Sequence, residues 1–210
     1  NLILNYLSQE AENKVRFEHH LEQNGWTAMA GVGFENVYYT NSTYQQREAG
    51  GGVVTVDYTS NLRFNKYAMF AQLSRTIFNN KLSLSFGLRT DFNDYSSAMS
   101  NPLEQISPRI SASYTILPKL AINFNAGRFS QLPPYTVLGY RNGNGDLVNK
   151  DNGIKYIHNN HIVAGLEYKP NLYAKITLEG FYKTYEDYPF LIADSVSLAN
   201  LGGDFGVIGN

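Results

Sequence analysis

Apolar and polar residues alternate with a period of two along most of this 210-residue chain. Between residues 81 and 91, Leu82, Leu84, Phe86 and Leu88 alternate with three small residues and Arg89. This period places one set of side chains on one face of a β-strand and the other set on the opposite face. The pattern recurs and predicts eight strands, at residues 12–22, 26–39, 64–78, 81–94, 107–117, 119–131, 158–169 and 173–187.

The predicted strands are long for a soluble protein, in which the mean strand has about 5–6 residues. Their lengths suit the roughly 9–11 residues that a tilted strand needs to cross a bilayer. One face is apolar and the other is small, polar or charged, as in a barrel with a hydrated interior. No run approaches the roughly 18 apolar residues of a transmembrane helix. We therefore predict an all-β fold, an antiparallel transmembrane β-barrel; a soluble all-β protein is the alternative.

Short and long connections strictly alternate along the predicted sheet. The connections at 23–25, 79–80, 118–119 and 169–172 are tight, whereas those at 40–63, 96–106 and 131–157 are long and polar. Outer-membrane barrels have short periplasmic turns and longer extracellular loops, so the tight turns are expected to face the periplasm. Aromatic residues near the strand ends predict an interfacial girdle: Tyr38, Tyr39, Phe92, Tyr95, Phe181, Tyr182 and Tyr185.

Composition and motifs argue against several functional classes. The 17 basic and 18 acidic residues nearly balance, which gives no case for a nucleic-acid partner. The absence of Cys excludes disulfides and thiolate metal sites. Neither a Gly-x-Ser-x-Gly nucleophile motif nor a phosphate-binding loop occurs, so we predict that the chain is not an enzyme.

Five phrases, in this order and spacing, give the chain a family resemblance. It resembles the barrel of TonB-dependent outer-membrane receptors, particularly those of Bacteroidetes. Each phrase alone is weakly specific, but together they span much of the chain. The phrases are FAQ at Phe70–Gln72, GLRTD at Gly87–Asp91, SPRISASY at Ser107–Tyr114, GRFSQLP at Gly127–Pro133 and EGFYK at Glu179–Lys183.

The resemblance implies a 22-stranded barrel in the bacterial outer membrane, with a plug domain in its lumen. It implies import of a scarce solute, such as an iron chelate or siderophore, haem, a cobalamin or a glycan, with energy transduced by TonB. Residues 1–210 would then be a partial barrel domain, without the plug domain and the C-terminal strands. The expected partners are the TonB complex, through that plug, the solute and outer-membrane lipid; a surface lipoprotein is a further candidate.

Two other functions remain open at this stage. A barrel of this kind can be a non-transporting outer-membrane protein, such as an adhesin or a structural protein. It can also be a passive porin. A plug domain encoded upstream in the full gene would favour the receptor over both.

Candidate site residues fall into two groups. Charged residues on the polar faces of the strands are expected to face the lumen and to contact a plug or a solute, or to form ion pairs with one another. These are Arg16, Arg89, Arg109, Glu167, Lys175 and Glu179. Aromatic residues in the long loops are expected to be exposed and to contact the ligand, because aromatic rings bind amphipathic solutes at low entropic cost. These are Tyr44, Tyr135, Tyr140 and Tyr156.

The histidines and the loop carboxylates do not predict a metal site. His19 and His20 are neighbours on a strand and point to opposite faces, and His158 and His161 are three positions apart, so they also face opposite sides of a strand. The acidic residues near the loops, which include Asp91 and Asp194, are expected to be solvated. We therefore predict neither a metal nor a cofactor.

Overall fold

Eight antiparallel strands form one continuous sheet in sequence order. A computed structural model describes residues 3–49, 52–192 and 195–200. The all-β prediction and all eight predicted strands are confirmed. The strands are β1 (Leu4–Gln23), β2 (Trp26–Ala49), β3 (Gly52–Ile77), β4 (Leu82–Asn93), β5 (Ser107–Leu117), β6 (Leu120–Gln131), β7 (Ile157–Asn171) and β8 (Ala174–Glu186).

The largest departure from the sequence prediction lies at residues 40–63. This segment is not a loop: β2 and β3 continue as a paired hairpin until Ala49 lies opposite Gly52. Residues 50 and 51, near the middle of the connection expected at 40–63, lie outside the described residues. β1 also begins earlier than predicted and pairs with this extension from Leu4, opposite Gln45. The sequence predicts a loop here because polar residues predominate. In the structure the outer face of the extension is exposed, whereas its inner face is buried even where it is polar, as at Asn41, Thr43 and Ser60.

The tight turns lie at one end of the sheet, and the long connections lie at the other. In the first turn Asn24 and Gly25 both have positive φ, at 52° and 77°, which suits a two-residue turn between Gln23 and Trp26.

No helix among the described residues is long and apolar enough to cross a membrane. The long connections contain short elements: α1 (Ser97–Ser100), α2 (Tyr135–Leu138), α3 (Val148–Asp151), β9 (Phe190–Leu191), β10 (Val196–Ser197) and a 3-10 turn (Leu198–Asn200).

The strand register separates two faces. An aromatic row crosses three strands on one face: Phe34 packs against Tyr67, and Tyr67 stacks on Phe92, with ring centroids 5.6 and 5.2 Å apart. This outer face also carries the exposed Leu and Ile residues of the strands. Phe92 therefore lies on the outer face, as a residue of an interfacial girdle should. Tyr39 and Tyr95 do not, because both are buried on the opposite face.

The core lies on the inner face, between the strand wall and the long connections. Apolar side chains of β2 and β3 meet residues from the 94–106 and 132–156 connections. A second, smaller cluster joins Val137 to Leu191 and Leu198 from the segment after β8. The main cluster contains Val37, Tyr39, Leu62, Phe64, Tyr95, Met99, Leu138 and Tyr156.

An added charge is expected to cost more stability on the outer face of the sheet than on the inner face. Phe86 is 55% exposed on the outer face, and its neighbour Ser85 lies on the inner face at the same depth. In lipid vesicles, Phe86→Arg should lower the free energy of unfolding by about 2–4 kcal/mol, because the guanidinium would meet hydrocarbon. Ser85→Arg is the matched control and should cost less than half as much, as followed by denaturant unfolding of the folded protein. Equal losses would contradict the assignment of the faces.

The crowded surroundings of Gly31 on β2 give a second prediction about stability. A Cβ atom on Gly31 would lie 2.6 Å from Cε1 of Phe70 and 2.7 Å from the backbone oxygen of Phe17. Gly31→Ala should therefore destabilise the sheet by about 1–3 kcal/mol in the same unfolding measurement. Gly33 is on the same strand and face, and its added Cβ would meet nothing closer than 3.6 Å. Gly33→Ala should leave the unfolding midpoint unchanged, and a similar loss from both variants would contradict this explanation.

Candidate functional site

The connection between β6 and β7, residues 132–156, folds back over the inner face of the sheet. We call it the infolded loop. Its helix α2 places Leu138 in the core, where it is 0% exposed, and the Tyr95 hydroxyl donates a 2.7 Å hydrogen bond to the Leu138 carbonyl oxygen. Within the loop, the Asn149 side-chain amide donates to the Val137 carbonyl oxygen at 2.8 Å. The loop is thus attached to the wall by packing and by polar contacts.

An ion-pair cluster on the wall holds the first turn of this loop. Lys66 on β3 contacts Glu35 on β2 at 2.6 Å and Glu12 on β1 at 2.9 Å. Lys14 lies 2.5 Å from Glu12 on the same strand. Two cations and two carboxylates therefore balance one another, which a partly buried set of charges requires.

Tyr135 of the infolded loop joins this cluster. Its hydroxyl donates to Glu12 and accepts a 3.1 Å hydrogen bond from the Lys66 ammonium group. Its ring packs against Tyr39 and Phe64, with centroids 5.7 and 5.8 Å away. Burial, together with the bond to Glu12, raises the pKa of the Tyr135 hydroxyl, so the group keeps the proton that it donates. The contact links residues that are 123 positions apart in the sequence.

Beside the cluster, the inner face and the infolded loop enclose a cavity of about 420 Å³. We call it the lumenal cavity. Its walls combine charged side chains from five strands, β1 to β5, with aromatic rings. The residues that matter most for its chemistry are Arg16, Lys66, Arg89, Arg109, Phe129 and Tyr156. Its volume is within the range of small-molecule sites, about 300–1,000 Å³.

Three of the predicted lumenal residues line this cavity. Arg89 and Arg109, expected on the same wall, both do so, as does Arg16. Arg89 donates two 2.6 Å hydrogen bonds to the Asp91 carboxylate, and Arg16 pairs with Glu18. Contact with a solute or a plug stays a prediction for all three.

The other three predicted lumenal residues lie far from the cavity, toward the turn end. Glu167 on β7 accepts contacts from Lys169 and Lys175, each at 2.6 Å. Glu179 lies on β8 opposite Gly165 and is exposed. The structure therefore divides the predicted set into a cavity group and a group near the tight turns.

The aromatic candidates are less exposed than expected. Tyr156 is only 3% exposed: its hydroxyl accepts a 2.9 Å bond from Asn93, and burial raises its pKa to about 12. Tyr135 is half-buried in the ion-pair cluster, and Tyr140 is half-buried with its ring edge-on to Tyr58. Tyr44 lies in β2 rather than in a loop. The expectation of exposed loop rings is wrong for Tyr156, because the loop that carries it folds inward.

The sequence analysis did not predict the ion-pair cluster or the contact between the Tyr39 and Tyr135 rings. A signal was present for the cluster, since Glu12 and Lys14 share one face of β1, as do Glu35 of β2 and Lys66 of β3. Their pairing becomes visible only when the register is known.

Metal binding has no support in the residues described. His19 and His20 are successive residues of β1, and among the described residues no group of three His, Asp or Glu side chains could hold an ion. His158 and His161 occupy β7, where His158 is buried and contacts Ser130 at 3.1 Å, while His161 stacks on Phe129. Asp194 lies outside the described residues.

A family model described as "TonB dependent receptor-like, beta-barrel" matches residues 4–207. The chain belongs to this family. TonB-dependent receptors are outer-membrane proteins, so the strands of the chain cross the bacterial outer membrane. The family is one of receptors and transporters rather than of enzymes, and its members interact with TonB and a solute. The Bacteroidetes type stays a prediction.

Solved structures show the same barrel fold. The copper transporter OprC is 17% identical with a TM-score of 0.62, over 87% of this chain and 31% of OprC. FpvAI, in a complex with pyocin S2, is 10% identical with a TM-score of 0.59, over 85% of this chain and 26% of the other. The chain thus spans less than a third of the length of either of these two proteins. No curated protein matches it in sequence.

The attachment of the infolded loop can be tested by removing one hydroxyl. Tyr135→Phe would leave Glu12 and Lys66 without a shared partner, and a hydrogen bond to a charged group contributes about 1.5–3 kcal/mol. Amide hydrogen exchange in residues 132–156 should therefore accelerate by about tenfold or more. Tyr140→Phe removes a hydroxyl from the same loop away from the ion-pair cluster and should leave exchange unchanged. Equal exchange in both variants would contradict the anchoring role of Tyr135.

Proposed function

We propose that this chain forms part of the wall of a receptor that binds a scarce solute and imports it with energy transduced by TonB. The solute classes that fit are an iron chelate or siderophore, haem, a cobalamin and a glycan. The observation that carries the proposal is the lumenal cavity beneath the infolded loop, where charged and aromatic side chains converge. Such a site suits binding, whereas a passive pore needs only an open passage.

The proposal assigns the eight strands to a wider barrel. In the described structure, β1 and β8 are the two edges of the sheet and do not pair with each other. Backbone groups on a strand edge have no partner in lipid, so further strands would have to satisfy them. The relatives, whose chains are more than three times as long as the matched part, support this view.

The proposed partners follow from the two faces and the two ends. The outer face with its exposed apolar residues would contact outer-membrane lipid. The loop end would face outward and meet the solute, with a surface lipoprotein as a further candidate partner. A lumenal plug domain would connect the tight-turn side to the TonB complex.

Growth on single nutrient sources tests the function. A strain without the full-length gene should lose growth on one source among a ferric siderophore, haem, a cobalamin and a glycan. The intact gene should restore growth only when TonB is present, because uptake against a gradient needs an energy source. Restoration without TonB would favour a passive porin, and unchanged growth on every source would favour an adhesin or a structural barrel. Either result would overturn the proposal.

A further inference from the structure

Arg109 lines the lumenal cavity and has no acidic partner among the described residues. It lies on β5 in one cross-strand row with Gly127, His161 and Lys183. Among the described residues it has no carboxylate within ion-pair distance, and its buried Nε atom has no hydrogen-bond partner. The side chain as a whole is half-buried, but this Nε atom is a desolvated donor whose bond is not made, which is costly.

The other cations around the cavity are already balanced. Lys14 and Lys66 share Glu12 and Glu35. The two remaining arginines also have partners, because Arg89 binds Asp91 and Arg16 binds Glu18. The positive charge of Arg109 is therefore left over on this wall.

The side chain of Arg109 is held in a defined position. Its guanidinium carbon lies 4.2 Å from the centroid of the Phe129 ring, and that ring lies 4.3 Å from the His161 ring. Gly127 makes this possible, because a Cβ there would lie 3.1 Å from Cγ of Arg109 and 3.2 Å from the Phe129 ring. The ring covers a face of the guanidinium but cannot accept its in-plane N–H groups.

A stacked guanidinium with free edges suits one kind of ligand group. The N–H donors of arginine form a planar fork that matches the two oxygens of a carboxylate. Lys183 lies on the same row three strands away, on β8, and adds a second, more distant positive charge. Among the described residues, no acidic side chain shares this row on β5–β8. The acidic residues that line the cavity are Glu35 and Asp91, and each is paired with a cation.

We propose that Arg109, stacked on Phe129, binds a carboxylate group of a small solute in the lumenal cavity. Phe129 and His161 position the guanidinium, and Lys183 strengthens the local positive potential. The cavity beside Arg109, of about 420 Å³, has room for a small solute. This inference rests on the proposed receptor function and specifies one chemical group of its ligand.

Citrate, a tricarboxylate, is the probe for the test, and glucose is the uncharged comparison. Binding to the full-length protein in detergent is measured by calorimetry. Citrate should bind and glucose should not compete with it. Arg109→Gln should weaken citrate binding by about tenfold or more, the usual loss when a charged hydrogen-bond pair is removed. Arg109→Lys should recover part of this loss, because it keeps the charge but not the fork. Lys183→Gln should weaken binding less than Arg109→Gln does.

Arg75→Gln is the matched control. Arg75 also stacks on an aromatic ring, 4.7 Å from Trp26, but it lies on the outer face of the sheet. This variant should bind citrate as the unchanged protein does. The proposal is overturned if citrate does not bind, if Arg109→Gln binds it equally well, or if the control loses as much. Failure here with TonB-dependent growth intact would leave the receptor function standing and remove only the carboxylate site.

Discussion

The unbroken antiparallel hydrogen-bond ladder from β1 to β8 determines where every other feature of this protein lies. Its register makes Lys14, Glu35 and Lys66 neighbours on one face, and it places Phe34 and Tyr67 together on the other. A slip of one residue on any strand would exchange the two faces and put charges into lipid. The ion-pair cluster, the cavity and the aromatic row all depend on this one alignment.

Much of the membrane-embedded part could be predicted because alternation reports the face of each residue directly. The positions of β4 and β5, and a shared wall for Arg89 and Arg109, follow from that signal. The extension of β2 and β3 could not be found in the same way. There the outer face is exposed and polar, and the buried inner face also carries polar residues such as Asn41 and Thr43, so the apolar half of the pattern disappears while the backbone pairing continues.

Local sequence patterns could not predict the contacts of the infolded loop, for a different reason. Tyr135 meets Glu12 across 123 residues of sequence, and Tyr95 meets Leu138 across 43. Such contacts depend on the curvature of the sheet and on the direction in which a loop folds. Aromatic residues in a polar segment are equally compatible with a ligand surface and with a small core. Here Tyr156 belongs to the core, and its hydroxyl is satisfied by Asn93.

The strands differ in length, so the described part of the sheet is taller on one side than on the other. β2 and β3 contain 24 and 26 residues, about 80 Å of strand at roughly 3.3 Å per residue, whereas β4 and β5 contain 12 and 11. Even at a tilt of about 45°, the longer pair rises well past a hydrocarbon core of about 30 Å. At the loop end, the β2–β3 hairpin therefore stands well above the neighbouring strands β4 and β5. In the proposed receptor, a ligand would have a wider approach over the β4–β5 side than over the β2–β3 hairpin.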